Sequence, residues 1–501
     1  MNILFATSEV YPYAKTGGLA DVSAALPAAL SRLGHKTCVV MPAYKKAMES
    51  GQNIWPLGVD FAVPIHNKTV YGSLLESRLP NSDVPVYLVK QDEYYDRDGL
   101  YNQKDEDYGD NCERFIFFSR AVLEIIRLLE LEIDVLHSND WQTGLVPAYL
   151  EIFYRQSIPY KNITSIHTIH NLAYQGVFWH WDMLLTGFDW RYFTPDMMEF
   201  YGKLNMLKTA LMFADGITTV SPTYATEIQT PDFGCALDGV LRHRRNDLQG
   251  ILNGIDAELW NPTIDKWIPA QYDTCNVFER KPLCKAALQR EFGLNEYDDA
   301  PVIGVVGRLA QQKGIDLVAE VIPYWVEEHG VQWVFLGTGD PWLEQRLQAL
   351  AQLYPNNVAV KLTFCDRSSH LIEAGCDMFA MPSRYEPCGL NQIYSLAYGT
   401  VPIVRQTGGL ADTITHPIPD TLADGTANGF SFRDADPNGL NWAVGQAVYC
   451  YKNDHPVWQQ LILNGMGQDF SWRNSALQYV EFYEKVRGQG AGSRGQGAGN
   501  R

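Results

Sequence analysis

Thr16-Gly17-Gly18-Leu19-Ala20-Asp21 and Thr407-Gly408-Gly409-Leu410-Ala411-Asp412 are one hexapeptide written twice in a chain of 501 residues. Each copy follows a short apolar run, ILFATS at 3–8 and VPIVR at 401–405, and each opens an amphipathic stretch. Strand, glycine turn and helix make up the repeating unit of a doubly wound α/β domain, so the repetition predicts two such domains. Paired glycines let the backbone pass close to a ligand, and the helix behind them offers free N–H groups to phosphate or sugar oxygens. A single copy reads equally well as a tight turn. Two copies at equivalent strand ends favour two ligand-facing loops.

Outward from the first copy, LADVSAALPAALSRLG and KTCVVM continue as helix and strand, and IDVLHSND, ITSIHTIHN and GITTVSP each end in polar residues. A parallel strand empties into its loop in that way, and parallel sheets bind ligands there. The alternation pauses over about 255–300, where NGIDAELWNPTIDKWIPAQYD is rich in Pro, Trp and Asp without a clear period. It resumes in PVIGVVGRLAQQKGIDLVAEVI, QWVFLGTGDPWLEQRLQALA, DMFAMPSRYEPCGLNQIYSLAYG and VPIVRQTGGLADTI, four further strand-turn-helix units. The closing RGQGAGSRGQGAGNR lacks apolar content and reads as a flexible tail.

Composition narrows the partners. A 501-residue chain exceeds what one core usually serves, and 46% hydrophobic with 20% charged residues is ordinary for a folded protein. A formal net charge of −18 opposes general attraction to nucleic acid or to an anionic membrane, so neither is expected as a partner. An anionic ligand must then be held by a few local cations and helix N-termini. The nine cysteines are scattered, with no C-x-x-C pair, which argues against disulfide and zinc frameworks. MNILFATSEV is too short for a signal-peptide core, and no apolar run approaches the ~18 residues of a membrane span. The expected compartment is the cytosol, or a plastid stroma if a transit peptide has been removed.

Candidate site residues lie at the predicted strand ends. Lys15 precedes the first turn, where a cation can meet a diphosphate, although such a lysine taken alone is more often ordinary surface. Arg308 and Lys313 occupy GRLAQQKG after VIGVV, bracketed by Gly307 and Gly314, and form a candidate phosphate clamp. In SRYEPCGLNQ, Glu386 sits in a tight turn with the Gly389 and Leu390 amides as donors; helix capping is the plainer reading. His170 and Asn171 end one strand, and His137, Asp140 and Trp141 follow another. Together they suggest a sugar site, with polar groups for hydroxyls and an aromatic face for the ring.

Taken together, KTGGLADV, HNLAYQG, FYGKLNMLK, TVSPTYATEI, GILNGIDAELWNP, GRLAQQKGIDL, PSRYEPCGLNQ and QTGGLADT resemble the glycogen and starch synthases, in that family's order, from Met1 to about Tyr483. The resemblance implies the GT-B fold, two Rossmann-like domains facing across a cleft that closes over substrate. It implies a hexosyltransferase that extends an α-1,4-glucan (glycogen, starch or maltooligosaccharide) from ADP-glucose with retention, releasing ADP, with no cofactor and no essential metal.

The domains expected on that basis are 1–255, 256–300 as a junction, 301–470, a C-terminal helix over 471–487 packing back on the first domain, and the tail over 488–501. The family's pattern assigns Lys15, Gly18 and Asp21 to a first donor loop, and Gly307, Arg308 and Lys313 to the diphosphate. It assigns Glu386, Cys388, Gly389 and Leu390 to the donor glucose, and Thr407, Gly408 and Gly409 to a second phosphate-facing turn. His170 and Asn253 fall beside the transferred sugar, and Asp140 and Asn171 on the acceptor side. His170, Arg308, Lys313 and Glu386 are thus the candidate catalytic residues. HSNDW departs from the family's usual H-x-H-D-W at Asn139, on the acceptor side. A granule-bound form using ADP- or UDP-glucose, a transferase making a sucrose- or trehalose-type product, and a non-catalytic glucan-binding scaffold remain alternatives at this level.

Overall fold

The computed structural model describes residues 1–103 and 106–494, and side chains through 489. The chain forms two compact units. The first comprises Met1–Val220, Ala225–Ile251 and the segment from Trp472 onward; the second comprises Ser221–Tyr224 and Leu252–Ser471.

In the first unit, β1 (Asn2–Ala6), α1 (Gly18–Arg32) and β2 (Lys36–Pro42) realise the opening strand-turn-helix-strand. β3 (Trp55–Ile65), β4 (Lys68–Arg78) and β5 (Pro85–Lys90) follow, then α2 (Asn111–Leu128), β6 (Val135–Asn139), β7 (Thr164–Ile169), α3 (Met206–Phe213), β8 (Gly216–Thr219) and β9 (Leu248–Gly250). They build one nine-stranded sheet in the order β9-β8-β7-β6-β1-β2-β5-β4-β3. It is parallel except where β4 pairs antiparallel with β3 and β5. The order reverses between β1 and β6, and the mouths of strands at such a reversal are where open α/β sheets bind ligands.

In the second unit, α4 (Val277–Phe292) precedes β10 (Val302–Val306), α5 (Ile315–His329), β11 (Gln332–Leu336), α6 (Pro341–Leu353), β12 (Val358–Lys361), α7 (Asp366–Gly375) and β13 (Met378–Met381). α8 (Asn391–Ala397), β14 (Val401–Arg405), α9 (Gly408–Thr413), β15 (Phe430–Phe432), α10 (Pro437–Asn453) and α11 (His455–Met466) complete it. The six strands are all parallel, ordered β12-β11-β10-β13-β14-β15, with the reversal between β10 and β13. Strand periodicity divides the side chains between two cores. Ile303, Trp333 and Phe335 join one apolar cluster, while Val302, Val334 and Leu336 join another. Both faces are covered, which is why these strands read as unbroken apolar runs.

The segment read as a junction over 256–300 belongs to the second unit, with α4 packed on α7. The final helix α12 (Trp472–Arg494) packs on α1 and places Trp472, Tyr479, Phe482, Tyr483 and Val486 in the first unit's core. Its end corrects the boundary expected at 487: the helix continues through Gly488 to Arg494. The rest of the expected tail, 495–501, lies outside the described residues.

Candidate active site

The residues after β1 form the first candidate loop. Buried Glu9 organises it by accepting hydrogen bonds from the Thr16 amide (2.5 Å), the Thr16 hydroxyl (2.6 Å), the Gly17 amide (3.3 Å) and the Tyr101 hydroxyl (2.7 Å). The turn is thereby held open at the start of α1. A Cβ added at Gly17 or Gly18 meets nothing within 4 Å, and neither residue needs a positive φ. Nothing in the fold therefore demands glycine there, and the free space suits an approaching ligand. Lys15 and Asp21 form a surface ion pair of 2.8 Å, which at their exposure contributes little stability and leaves the lysine ready to exchange partners.

At the mouths of β6 and β7 stand Asp140, His170 and Asn171. Asp140 has φ 53 and ψ −178, a backbone region that side chains other than glycine's rarely occupy. Its Oδ1 accepts the His170 amide at 2.8 Å, and the Asn171 amide also donates to its carboxylate. Burial pushes the Asp140 carboxyl up to about 7, against the pull of those amides. The His170 Nε2 lies 2.9 Å from Asn139 Oδ1, and burial lowers the imidazole to about 3, so it is neutral at any working pH. Asn171 caps its own turn through the Ala173 amide at 3.0 Å and is half-buried.

Two sequence-derived assignments are corrected in this unit. His137, expected at the sugar site, is fully buried inside the sheet, 2.7 Å from the Tyr483 hydroxyl and 2.5 Å from the Thr168 hydroxyl. Both ring nitrogens are spent on protein, so it braces α12 rather than facing solvent. Trp141 is half-buried, but its ring packs against Phe115 at 4.9 Å and Phe178 at 5.7 Å, with the Gly176 backbone pressed on it. It shapes the loop and offers little free face to a sugar.

In the second unit the loops after β10, β13 and β14 converge. Gly307 ends β10 with its amide on the Leu336 carbonyl (3.0 Å), and Arg308 is exposed with Nη2 2.9 Å from Gln312 Oε1. Lys313 Nζ lies 2.6 Å from Oε2 of buried Glu386, which also accepts the Ser383 hydroxyl at 3.0 Å. Side chains lace these loops together. Arg384 pairs with both oxygens of Asp316 at 2.8 Å, and Asn391 Nδ2 donates to the Val306 carbonyl at 2.7 Å. Leu390 stands half-buried at the N-cap of α8.

Here the glycines of the second hexapeptide have a structural task. Gly408 has φ +44, and a Cβ on it meets the Glu386 carbonyl oxygen at 1.8 Å; one on Gly409 meets the Cys388 carbonyl oxygen at 2.1 Å. The Gly409 amide lies 3.3 Å from both the Glu386 and Pro387 carbonyls, and Thr407 is fully buried. This turn clasps the backbone on which Glu386 and Gly389 sit.

Burial pushes the Cys388 thiol up to about 12, which makes it an inert packing group, with the Asn253 amide donating toward its sulfur. Asn253 is itself buried, and its Oδ1 has no hydrogen-bond partner. An orphan acceptor of this kind costs roughly 1–3 kcal/mol unless something fills it, as a ligand hydroxyl would.

Sequence reasoning missed Glu9, Tyr101, Ser383 and Gln312. Glu9 alone carried a signal, as an acidic residue directly after the polar end of a strand. Among the described residues, no His, Cys, Asp or Glu gather in threes as a metal would require, and no helix is long and apolar enough to cross a membrane.

Residues 2–243 match the family model described as Starch synthase catalytic domain, and residues 289–455 match Glycosyl transferases group 1. The chain is 42% identical over 496 residues to a glycogen synthase of Rhodopirellula baltica, covering 97% of this chain and 98% of that one. It is 46% identical over 488 residues to a glycogen synthase of Syntrophotalea carbinolica, covering 97% and 99%. Among solved structures, the catalytic domain of starch synthase IV from Arabidopsis thaliana, bound to ADP and acarbose, superposes with a TM-score of 0.88 at 31% identity, covering 97% of this chain and 99% of that one. Sucrose-phosphate synthase from Thermosynechococcus elongatus shares the fold, with a TM-score of 0.57 at 18% identity and coverage of 97% and 98%.

Proposed function

The chain belongs to the glycogen and starch synthase family of glucosyltransferases, GT-B enzymes that build glucan, and from that premise we propose that it transfers glucose from ADP-glucose, with retention, to the non-reducing end of an α-1,4-glucan. The observation that carries the reading is the Lys313–Glu386 pair, 2.6 Å apart at the reversal of the second sheet, with Arg308 on the same loop.

When the glycosidic bond to the diphosphate breaks, positive charge grows on the sugar and negative charge on the phosphate. Arg308 and Lys313 answer the second, and one preorganised donor of this kind contributes roughly 3–4 kcal/mol. Glu386, buried and held by Ser383, accepts from the donor glucose hydroxyls. Gly389 and Leu390 offer amides at the N-terminus of α8, and the open Asn253 Oδ1 takes a further hydroxyl. The terminal 4-hydroxyl of the glucan attacks on the face that the diphosphate leaves, and its proton passes to the departing phosphate oxygen. In the first unit, neutral His170 serves the transferred sugar, Asp140 and Asn171 line the acceptor side, and Lys15 and Gly18 receive phosphate.

In this reading the two cations supply the leaving-group stabilisation, so the reaction runs without cofactor or metal. ADP is the product. Nine free cysteines fit a reducing compartment, the cytosol or a plastid stroma. Transfer of labelled glucose from ADP-glucose and from UDP-glucose to maltooligosaccharides tests the reading. Chains lengthened by α-1,4 residues from ADP-glucose are expected, and elongation from UDP-glucose alone, or none, overturns it.

A further inference from the structure

The polypeptide between β7 and α3 makes a surface excursion whose outer side is aromatic. A short strand, Val177–Trp179, pairs with Lys203–Asn205, which in turn pairs with Glu199–Phe200. Side chains alternate along the first of these strands. Phe178 turns inward against Trp141 at 5.7 Å, whereas Val177 and Trp179 face out.

Beyond the strand, Trp179, Trp181 and Trp190 are 62%, 48% and 41% exposed. Their rings form one connected series: Trp179 to Trp181 at 6.4 Å, Trp181 to Trp190 at 5.5 Å, and Trp190 to Phe193 at 5.4 Å. Indoles are costly to leave in water in this number, and a connected exposed apolar surface marks an interaction site.

The platform beneath the rings is fixed. Met183, Met198 and Leu204 are fully buried, the Tyr149 hydroxyl donates to the Thr186 carbonyl at 2.9 Å, and Lys208 Nζ donates to the carbonyls of Pro195 (2.5 Å) and Glu199. The rings are therefore presented by a rigid base.

We propose that Trp179, Trp181 and Trp190 form a docking site for an outer chain of the glucan polymer, distinct from the residues that handle the transferred glucose. The inference rests on the glucan-synthase reading above. The occupant follows from the surface chemistry. Each indole offers a flat face to the C–H face of a pyranose and an N–H donor to its hydroxyls, whereas an aliphatic patch would offer only the first. Successive planes are inclined by 69° and 79°, which suits a chain that turns from residue to residue better than a flat protein face. A neutral polysaccharide meets no repulsion from a chain of net charge −18, while an anionic membrane would. The strand that carries Trp179 is also tied to the acceptor loop, since Phe178 packs at 5.7 Å on Trp141, the residue that follows Asp140. Polymer is thereby kept near the site between transfers, which raises its effective concentration.

The test compares wild type with Trp179→Ala/Trp181→Ala/Trp190→Ala by migration in native gels containing glycogen, without donor. It adds the kcat/KM ratio on glycogen against maltotriose, and sedimentation of both proteins. Wild type should be retarded by glycogen and the triple variant should not. The glycogen-to-maltotriose ratio should fall about tenfold, the order of one lost aromatic stacking contact. Trp181→Phe, which keeps an aromatic face, should retain most of the retardation.

Equal retardation of both proteins, or none of wild type, overturns the proposal. A change of oligomeric state with retardation intact does so too, and assigns the patch to a second copy of the chain. If wild type transfers no glucose to any glucan yet the triple variant alone loses retardation, the docking site stands and the transferase reading falls.

Discussion

The ammonium of Lys313 lies 2.6 Å from Oε2 of Glu386, so a cation expected to meet phosphate and a carboxylate expected to meet sugar are already joined. The lysine is partly exposed and the glutamate buried, with 29% and 7% of their side chains accessible. The pair joins the loops after β10 and β13, and in the proposed reaction donor binding redistributes the lysine's bonds between carboxylate and phosphate.

Lys313→Ala should therefore lower kcat by about 10²–10³, the loss of one oriented donor, with added cost from a buried carboxylate left without its cation. In a double-mutant cycle with Glu386→Gln, the combined loss should be smaller than the product of the single losses, because the residues act as one. Steady-state rates on ADP-glucose and maltooligosaccharide check this, and simple multiplication of the two losses would count against it.

The two hexapeptides should respond oppositely to alanine. At Gly408 the conformation is left-handed and the Glu386 carbonyl lies 1.8 Å from the added carbon; at Gly409 the Cys388 carbonyl lies 2.1 Å from it. Gly408→Ala and Gly409→Ala should each destabilise by more than ~1 kcal/mol, visible as a lowered melting temperature. Gly17→Ala and Gly18→Ala meet no neighbour and should melt within about 0.5 kcal/mol of wild type or slightly above it. A fall in activity at Gly18 without loss of stability would identify a ligand as the object that needs the space.

Glu9 holds the first turn from beneath through Thr16, Gly17 and Tyr101. Glu9→Ala should release that turn, raise KM for the donor and lower the melting temperature by the equivalent of roughly 1–3 kcal/mol, since four donors on three residues lose a buried acceptor. Tyr101→Phe removes a single one of those bonds and should show a milder effect in the same direction. Unchanged KM in Glu9→Ala would separate the carboxylate from donor binding.

Stability should depend on pH through Asp140 with a sign opposite to that of most acids. Burial lifts its folded pKa to about 7, from an ordinary value of 3.8, so the native state holds a proton that the unfolded state has released over that range. The contribution is complete below about pH 3.8 and is lost as pH rises toward 7. His167 and His170, lowered to about 3 by burial, work the other way and cost stability as pH falls from 6.5. Asp140→Asn keeps an acceptor for the amides but cannot ionise. The difference in melting temperature, wild type minus variant, should decline from pH 4 to 7, and a flat or rising difference would refute the assignment.

The fold was legible where strands are buried on both faces, as β1, β6, β7 and the second sheet are, because that writes them as apolar runs ending in polar turns; β3 and β4, whose residues alternate between buried and exposed, left no such mark. The loops after β10 and β13 were legible for a related reason: glycine and charge together have few other uses at a strand mouth. The same double burial hid the fate of His137. All five residues of β6 are buried, so no alternation separates a histidine that faces the core from one that faces a ligand. Its partners Tyr483 and Thr168 come from elsewhere in the chain and leave no mark beside it. The second hexapeptide carries a task that its sequence does not display. Both copies read as ligand-facing turns, and the glycines of the second also answer to a backbone passing at 386–388, distant in the sequence.

The return of α12 to the first unit has a consequence for synthesis. His137 waits for the hydroxyl of Tyr483, 346 residues later, and the core around β1 and β7 waits for Tyr479 and Phe482. On the ribosome the second unit, complete by Ser471, has every residue it needs before the first does, although the first is made earlier. A message truncated just after α11 would thus yield a finished second unit joined to a first unit lacking one wall, a product for quality control rather than a slow enzyme.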